Sequence, residues 1–387
     1  MRIALVGCGK IADQHLMAIR RIPDCSVVSV CDQELLMAEQ LGDRFDISER
    51  FSDVTQMLQA ISPDVVHITT PPQSHFVLGK QCLEAGCHVY LEKPFTVTFA
   101  EAESLVKVAE SRGLKMTAGH NLQFTLEMLH MRRLVQNGFL GGNPVHLESH
   151  FSYGLDDRSY IGPVLASRTH WVRHLPGQLL HNILSHGIAK LAEFLDDDLV
   201  EIIASAHQSE ELRSLGGQEI LDELRVLIRD KIGTTAFFCF STQLKPGLNQ
   251  LRIFGPANSI LVDHVSGSLI QNKSHSDKSY LTYFLPPLRS AREYFRNARV
   301  NVINVLRRRL YQDFGMKELI ERFYESIRNN GEPPISYREI LLTARIMDAI
   351  FTQIYPAQKR EALISDPPKD GFSVGNRSVL CPPPSDR

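Results

Sequence analysis

Short apolar runs recur through the first 120 residues, with longer helical stretches between them. The runs at 2–6, 27–31, 65–69, 88–91 and 115–118 are rich in β-branched residues and continuous rather than alternating. Strands buried on both faces of a parallel sheet carry that pattern. The stretch 11–22 puts Leu16, Ile19 and Ile22 on one side and stops at Pro23, and 34–45, 74–85 and 99–112 behave similarly. The last opens on Thr98 with Glu101 three residues on, a capping-box signature. Repeated strand–helix units of this length predict a doubly wound α/β domain of Rossmann type over 1–120.

Beyond 120 the rhythm changes. One helix at 125–137 ends at Asn137-Gly138. Strands at 145–151, 200–207, 221–229, 234–241, 251–254 and 260–265 then follow without that alternation. Their Gly, Asn and Pro turns predict an α+β domain with a mostly antiparallel open sheet, over 121–355. The stretch 288–354 is helical again. The segment 356–387, with Pro367, Pro368 and Pro382 to Pro384, has no periodicity and is expected to be an irregular or extended tail.

Composition narrows the class. The 387 residues are 43% hydrophobic and 22% charged, with a net charge of -2, which gives no reason to expect nucleic acid as a partner. Seven cysteines with no CxxC pair suggest reduced thiols. The opening residues form a strand pattern rather than a signal peptide. No run approaches the roughly 18 apolar residues of a membrane span. The expected location is the cytoplasm.

Candidate chemistry gathers where predicted strands end. Gly7-Cys8-Gly9-Lys10-Ile11-Ala12 is a GxGxxA between strand and helix. Gly7 would make the tight turn, Gly9 would admit a pyrophosphate, and Ala12 would allow close helix–sheet packing; the alternative is a plain tight turn. Asp32, at the end of the second strand, is placed to accept hydrogen bonds from ribose hydroxyls. With Gln33 rather than Arg after it, it favours NAD over NADP. Its alternative is a solvated turn residue. Thr70, Pro71 and His75 lie in a third strand-end loop, where open α/β sheets bind ligands, although His75 alone suits a satisfied first-turn histidine better. Glu92-Lys93-Pro94 follows a fourth strand; by position alone Lys93 is an ordinary exposed lysine.

Together these residues resemble the glucose–fructose oxidoreductase / inositol dehydrogenase / MocA family. The GxGxxA turn, Asp32, the Thr-Pro-Pro-x-x-His loop and Glu-Lys-Pro stand in that family's order and spacing. The resemblance extends over roughly 1–285, through Ala118-Gly119-His120-Asn121 at the domain junction and Ile253-Phe254-Gly255-Pro256 in the second sheet. It implies that Lys93 is catalytic beside a nicotinamide and that Glu92 also lies at the cofactor. It implies a second-domain helix supplying further groups through a pattern like GGxLxDxGxHxxD. Here that pattern is matched from Gly177, with Gln178 at the second glycine, Asn182 at the aspartate and His186 at the histidine.

Asn182 and His186 are four apart, hence on one helix face, with helix packing as the competing role. An amide accepts no proton at neutral pH, so Asn182 can only orient a substrate hydroxyl. Trp171 and Asn121 are further substrate-binding candidates, with core packing as the other role for the tryptophan. The expectation is an NAD(H)-dependent oxidoreductase acting on a secondary hydroxyl or carbonyl of a sugar, polyol or nucleotide-linked sugar. Lys93 or His186 would serve as base. A redox-neutral enzyme with recycling NAD and a non-catalytic NAD-binding sensor are the alternatives. A homo-oligomer is expected from the open sheet.

One segment falls outside the resemblance. Between Pro286-Pro287 and Arg309, Arg289, Arg292, Arg296 and Arg299 share a helical face opposite Ala291, Phe295, Ala298 and Val302, with Arg307 to Arg309 following. Such a helix at 288–310 suits a solvated face over a core or subunit contact. The sharper reading is weak contact with anionic lipid headgroups, or with a pyrophosphate-linked sugar.

Overall fold

The computed structural model describes residues 1–355 apart from 157, 218, 275–278, 282 and 308–313. The expected tail at 356–387 lies outside the described residues, as do Arg308 and Arg309.

The first domain runs β1 (Arg2–Val6), α1 (Lys10–Ile19), β2 (Ser26–Cys31), α2 (Leu35–Phe45), β3 (Arg50–Phe51), α3 (Val54–Ile61), β4 (Val65–Ile68), α4 (His75–Glu84), β5 (His88–Leu91), α5 (Phe99–Ser111) and β6 (Met116–Ala118). All six strands are parallel, in the order β3-β2-β1-β4-β5-β6. The strand order reverses between β1 and β4, which opens a crevice at the carboxyl ends of the strands. Burial of β1 and β4 on both faces explains their mostly apolar runs, which only His67 of β4 interrupts after Arg2. The Thr98–Glu101 capping box forms at α5. Pattern reading passes over β3 and α3: two residues are too few to show a period. The cap of α3 is nevertheless present, with Asp53 accepting from Gln56 N at 2.8 Å.

The second domain contains α6 (Leu126–Gln136), β7 (His146–Ser152), α7 (Arg158–Ala166), α8 (Gln178–Ala192), β8 (Val200–His207), α9 (Glu210–Ser214), β9 (Glu223–Asp230), β10 (Thr235–Ser241), β11 (Asn249–Phe254), β12 (Asn258–Asp263) and β13 (Ser268–Lys273). Its sheet order is β13-β12-β11-β7-β10-β9-β8, antiparallel except for the β7–β10 pair. Helix α8 covers one face so closely that a side chain at Gly187 would collide with the Phe238 ring. The opposite face is open, with Ile203 and Leu227 exposed.

Three helices close the described chain: α10 (Leu285–Leu306), α11 (Phe314–Arg328) and α12 (Tyr337–Ile354). Met316, Leu319, Ile320, Phe323 and Tyr324 of α11 join the core of the first domain, although they follow the second in sequence. Helix α12 bridges both cores, with Ile340 in one and Ile346, Ile350 and Phe351 in the other. This clamp fixes the two faces of the crevice against each other.

Candidate active site

The crevice begins at the β1–α1 turn. Gly7 has φ +97, and a Cβ there would lie 2.7–2.9 Å from Thr69 and Thr70, so only glycine fits. A Cβ at Gly9 would meet nothing within 4 Å. Gly9 caps α1 without a side chain, so the first-turn amides of Lys10 and Ile11 lack a side-chain cap, while Ala12 is buried against the sheet. An open glycine before an uncapped helix start is ground a pyrophosphate can occupy. Asp32 Oδ2 accepts from Cys8 N at 2.7 Å and Oδ1 from Glu34 N at 3.0 Å, which fixes the carboxylate beside the glycine turn. These residues fit an adenine dinucleotide with free ribose hydroxyls. Cys8 contributes its amide; burial pushes its thiol far above the ordinary range.

The β4 loop stands next to this turn. Thr70 Oγ1 and Ser74 Oγ share a hydrogen bond of 2.7 Å, and Pro71 is exposed. His75 is turned into the protein. Its Nε2 faces Thr70 O at 2.8 Å and its Nδ1 faces Pro94 O at 3.0 Å. Burial lowers its pKa, opposed by the carbonyls of Thr70, Phe95 and Pro94, so the ring lies between the Thr70 loop and the Lys93 turn and, when neutral, donates to only one of them. Gln73 Nε2 donates to Trp171 O at 2.9 Å, which joins this loop to the second domain. Trp171 is half-buried, stacked on His170 at 5.6 Å between centroids.

Glu92 points inward, away from the glycine turn's open side. Its Oε2 accepts from Lys93 N at 2.9 Å and its Oε1 meets His15 Nε2 at 3.0 Å. His15 Nδ1 meets His67 Nδ1 at 2.9 Å, and His67 Nε2 meets the Tyr324 hydroxyl at 2.8 Å. An ionised carboxylate only accepts, so one tautomer set satisfies the chain: Tyr324 donates to His67, His67 to His15, and His15 to Glu92. Burial pushes the Glu92 carboxyl up, but His15 and Lys93 outweigh it and leave the pKa below the ordinary value. A Cβ at Gly119 would press on the Glu92 carboxylate, 2.7 Å from Oε1, so glycine leaves it room.

Lys93 crosses to the second domain, where Nζ donates to Asn182 O at 3.3 Å. Burial lowers its pKa, with Glu92 opposing. Along α8, Asn182, His186 and Lys190 are spaced four apart and form one stripe. His186 is pushed well below its ordinary pKa by burial, then by Lys93, His120 and Lys190. Its Nδ1 has no hydrogen-bond partner. His120 lies 6.2 Å from it between ring centroids, also without partners on either nitrogen, and burial brings its pKa to about 4. Lys190 is fully buried, donates to Asn249 Oδ1 at 2.8 Å, and falls to about 7 through burial, with Glu127 opposing.

The structure therefore brings Lys93, Asn182 and His186 together. Asn121 is half-buried in the domain junction, its carbonyl against Gly315, where no side chain would fit. Gln178, at the motif's second glycine position, adopts φ +47 and so keeps a glycine-like backbone without a glycine. Sequence reasoning missed His15, His67, Tyr324, His120 and Lys190. Two of these had a local signal: Lys190, as the next position on the Asn182–His186 stripe, and His120, inside the Ala118-Gly119-His120-Asn121 segment.

Residues 1–120 match the model of an oxidoreductase family with an NAD-binding Rossmann fold. D-glucoside 3-dehydrogenase of Escherichia coli is 33% identical over 142 residues, 36% of this chain and 40% of that protein. The match thus spans about two-fifths of that relative's length. D-apiose dehydrogenase of Paraburkholderia graminis is 24% identical over 355 residues, covering 90% of this chain and 86% of that protein. The WlbA dehydrogenase of Bordetella pertussis, solved with NADH and UDP-GlcNAcA, shares the fold with a TM-score of 0.71 at 18% identity, covering 91% of this chain and 94% of that one. Over its first 120 residues, the chain is thus similar to the Gfo/Idh/MocA oxidoreductases, a family described by its NAD-binding Rossmann fold.

Proposed function

We propose that this protein is an NAD(H)-dependent oxidoreductase acting on a secondary hydroxyl or carbonyl of a sugar, polyol or nucleotide-linked sugar. The observation that carries the reading is the meeting of the Lys93 ammonium with the Asn182–His186 face of α8, beside the glycine turn's crevice. Bound NAD would accept or return the hydride. Gly7, Gly9 and the amides of Lys10 and Ile11 would hold its pyrophosphate, and Asp32 its adenosine ribose.

The chain's own groups handle the proton. The lowered pKa of Lys93 brings it nearer to the range that suits a general base, while Glu92 holds back part of that shift. His186, kept neutral, can hydrogen-bond the same hydroxyl through its unpartnered Nδ1. Both pKa values are shifted downward, so either Lys93 or His186 can serve as the base. Asn182 would orient the substrate. The relatives named for D-glucoside and D-apiose, and the fold shared with a UDP-sugar complex, support a carbohydrate substrate. The open sheet face around Ile203 and Leu227 supports a homo-oligomer, and the six cysteines among the described residues, all free, support a cytoplasmic location.

The test is calorimetric titration with NAD and NADP, followed by a panel of aldoses, inositols and UDP-sugars read at the reduced-nicotinamide absorbance. NAD is expected to bind more tightly, and one sugar class to give net reduction. Preference for NADP would overturn the role of Asp32; NAD binding with no reduction by any member would overturn the substrate class.

A further inference from the structure

Helix α10 is attached to the molecule with its apolar side outward. Over its 22 residues it buries none. Asn297 and Asn301 face the protein. Asn297 accepts from Leu269 N at 3.0 Å and donates to Leu269 O at 2.8 Å, while Asn301 donates to Ser266 O and Gly267 O, each at 3.1 Å. Helical geometry of about 100° per residue then sends Leu288, Ala291, Phe295, Ala298, Val302 and Leu306 to the opposite side. The exposures agree: Leu288 is 65% exposed, Phe295 79%, Val302 58% and Leu306 77%. Of the two packing roles the sequence offers this helix, the one over the chain's own core is not met.

We infer that this face of α10 is a docking surface for an anionic phospholipid membrane, on which the helix lies flat. The charge pattern chooses the occupant. Between Leu285 and Leu306 stand four arginines and one glutamate, a local +3 on a chain of net -2. Arg292, Arg296 and Arg299 border the apolar stripe on one side, and the lone Glu293 is paired with Arg296 at 2.8 Å. A second copy docking α10 on α10 would bring like charges together. A bilayer surface offers anionic headgroups to the arginines and hydrocarbon to the stripe at once. The helix is about 33 Å long at ~1.5 Å per residue, and exposed Tyr283 and Phe284 lead into it. No helix among the described residues is long and apolar enough to cross a membrane, so the contact is one of lying on the surface.

The test uses the full chain in cosedimentation with vesicles of phosphatidylcholine alone and of phosphatidylcholine mixed with phosphatidylglycerol, at physiological ionic strength. The anionic vesicles are expected to pellet at least about tenfold more protein, and each of Arg292→Gln and Arg299→Gln to weaken partitioning about fivefold. Phe295→Glu is expected to abolish pelleting while thermal melting and NAD binding stay unchanged, since the side chain touches solvent in the free protein. Equal pelleting on both vesicle types, or pelleting indifferent to Phe295→Glu, would overturn the inference. Light scattering that shows Phe295→Glu splitting an oligomer, with no vesicle binding by the parent, would overturn it in favour of a second copy.

Discussion

Two clusters of buried polar groups beside the crevice handle their hydrogen bonds in opposite ways. On the Rossmann side, the line from Glu92 through His15 and His67 to Tyr324 leaves no ring nitrogen or carboxylate oxygen without a partner. Around α8, His186 Nδ1 and Ser185 Oγ have none, and neither has either nitrogen of His120, which faces His186 from the end of β6. Buried polar groups are expensive unless satisfied. The first cluster is thus a finished support that fixes the Lys93 turn, and the second keeps hydrogen-bonding capacity in reserve for a bound molecule. Rigidity on one side and unmet polarity on the other together make a preorganised site.

Breaking the finished support should cause the largest loss of stability. His15→Phe leaves the buried Glu92 and His67 without their shared partner, and is expected to lower unfolding free energy by roughly 3 kcal/mol. Denaturant melts check it; a change within error would mean that the chain supports nothing.

Lys190 sharpens the other cluster through pH. Its folded pKa is about 7, against about 10.4 in an unfolded chain. Below pH 7 it is charged in both states, and the full cost of burying the ammonium is present. Between the two values only the unfolded chain holds the proton, so stability rises with pH by about 1.4 kcal/mol per unit. The stability of Lys190→Met relative to the parent should therefore be greatest and flat below pH 7 and fall above it. Melts from mildly acid to alkaline pH test this; a constant difference would contradict a buried, depressed lysine.

The smallest effect concerns the entry to α8. Gln178 holds φ +47, a conformation that costs a side-chain-bearing residue about 1 kcal/mol. Gln178→Gly should raise stability by up to that amount, offset in part by the greater freedom of glycine in the unfolded chain. A loss in thermal melts would show that the glutamine side chain contributes more than its backbone costs.

Legibility in the sequence followed distance along the chain. The GxGxxA turn, the Thr98–Glu101 box and the Asn182–His186 spacing are local, and each formed where its spacing placed it. The supports are not local: His15 and Glu92 lie 77 positions apart, and His67 and Tyr324 lie 257 apart. No periodicity links them. Strand β3 is two residues long and borrows its conformation from β2. For α10 the pattern set the arginines opposite the apolar stripe, but the side turned to the protein is a third one, held by Asn297 and Asn301 through bonds to the edge of the second sheet.

The central claim is that Lys93 and His186 act on one substrate hydroxyl as a unit. It is tested most directly by turnover of Lys93→Ala, His186→Ala and the double variant, with NAD affinity measured in each. Each single change is expected to cost about 10²–10⁴-fold in turnover, with NAD still bound and the double variant little worse than the poorer single one. Losses that multiply, or turnover that survives Lys93→Ala, would contradict it.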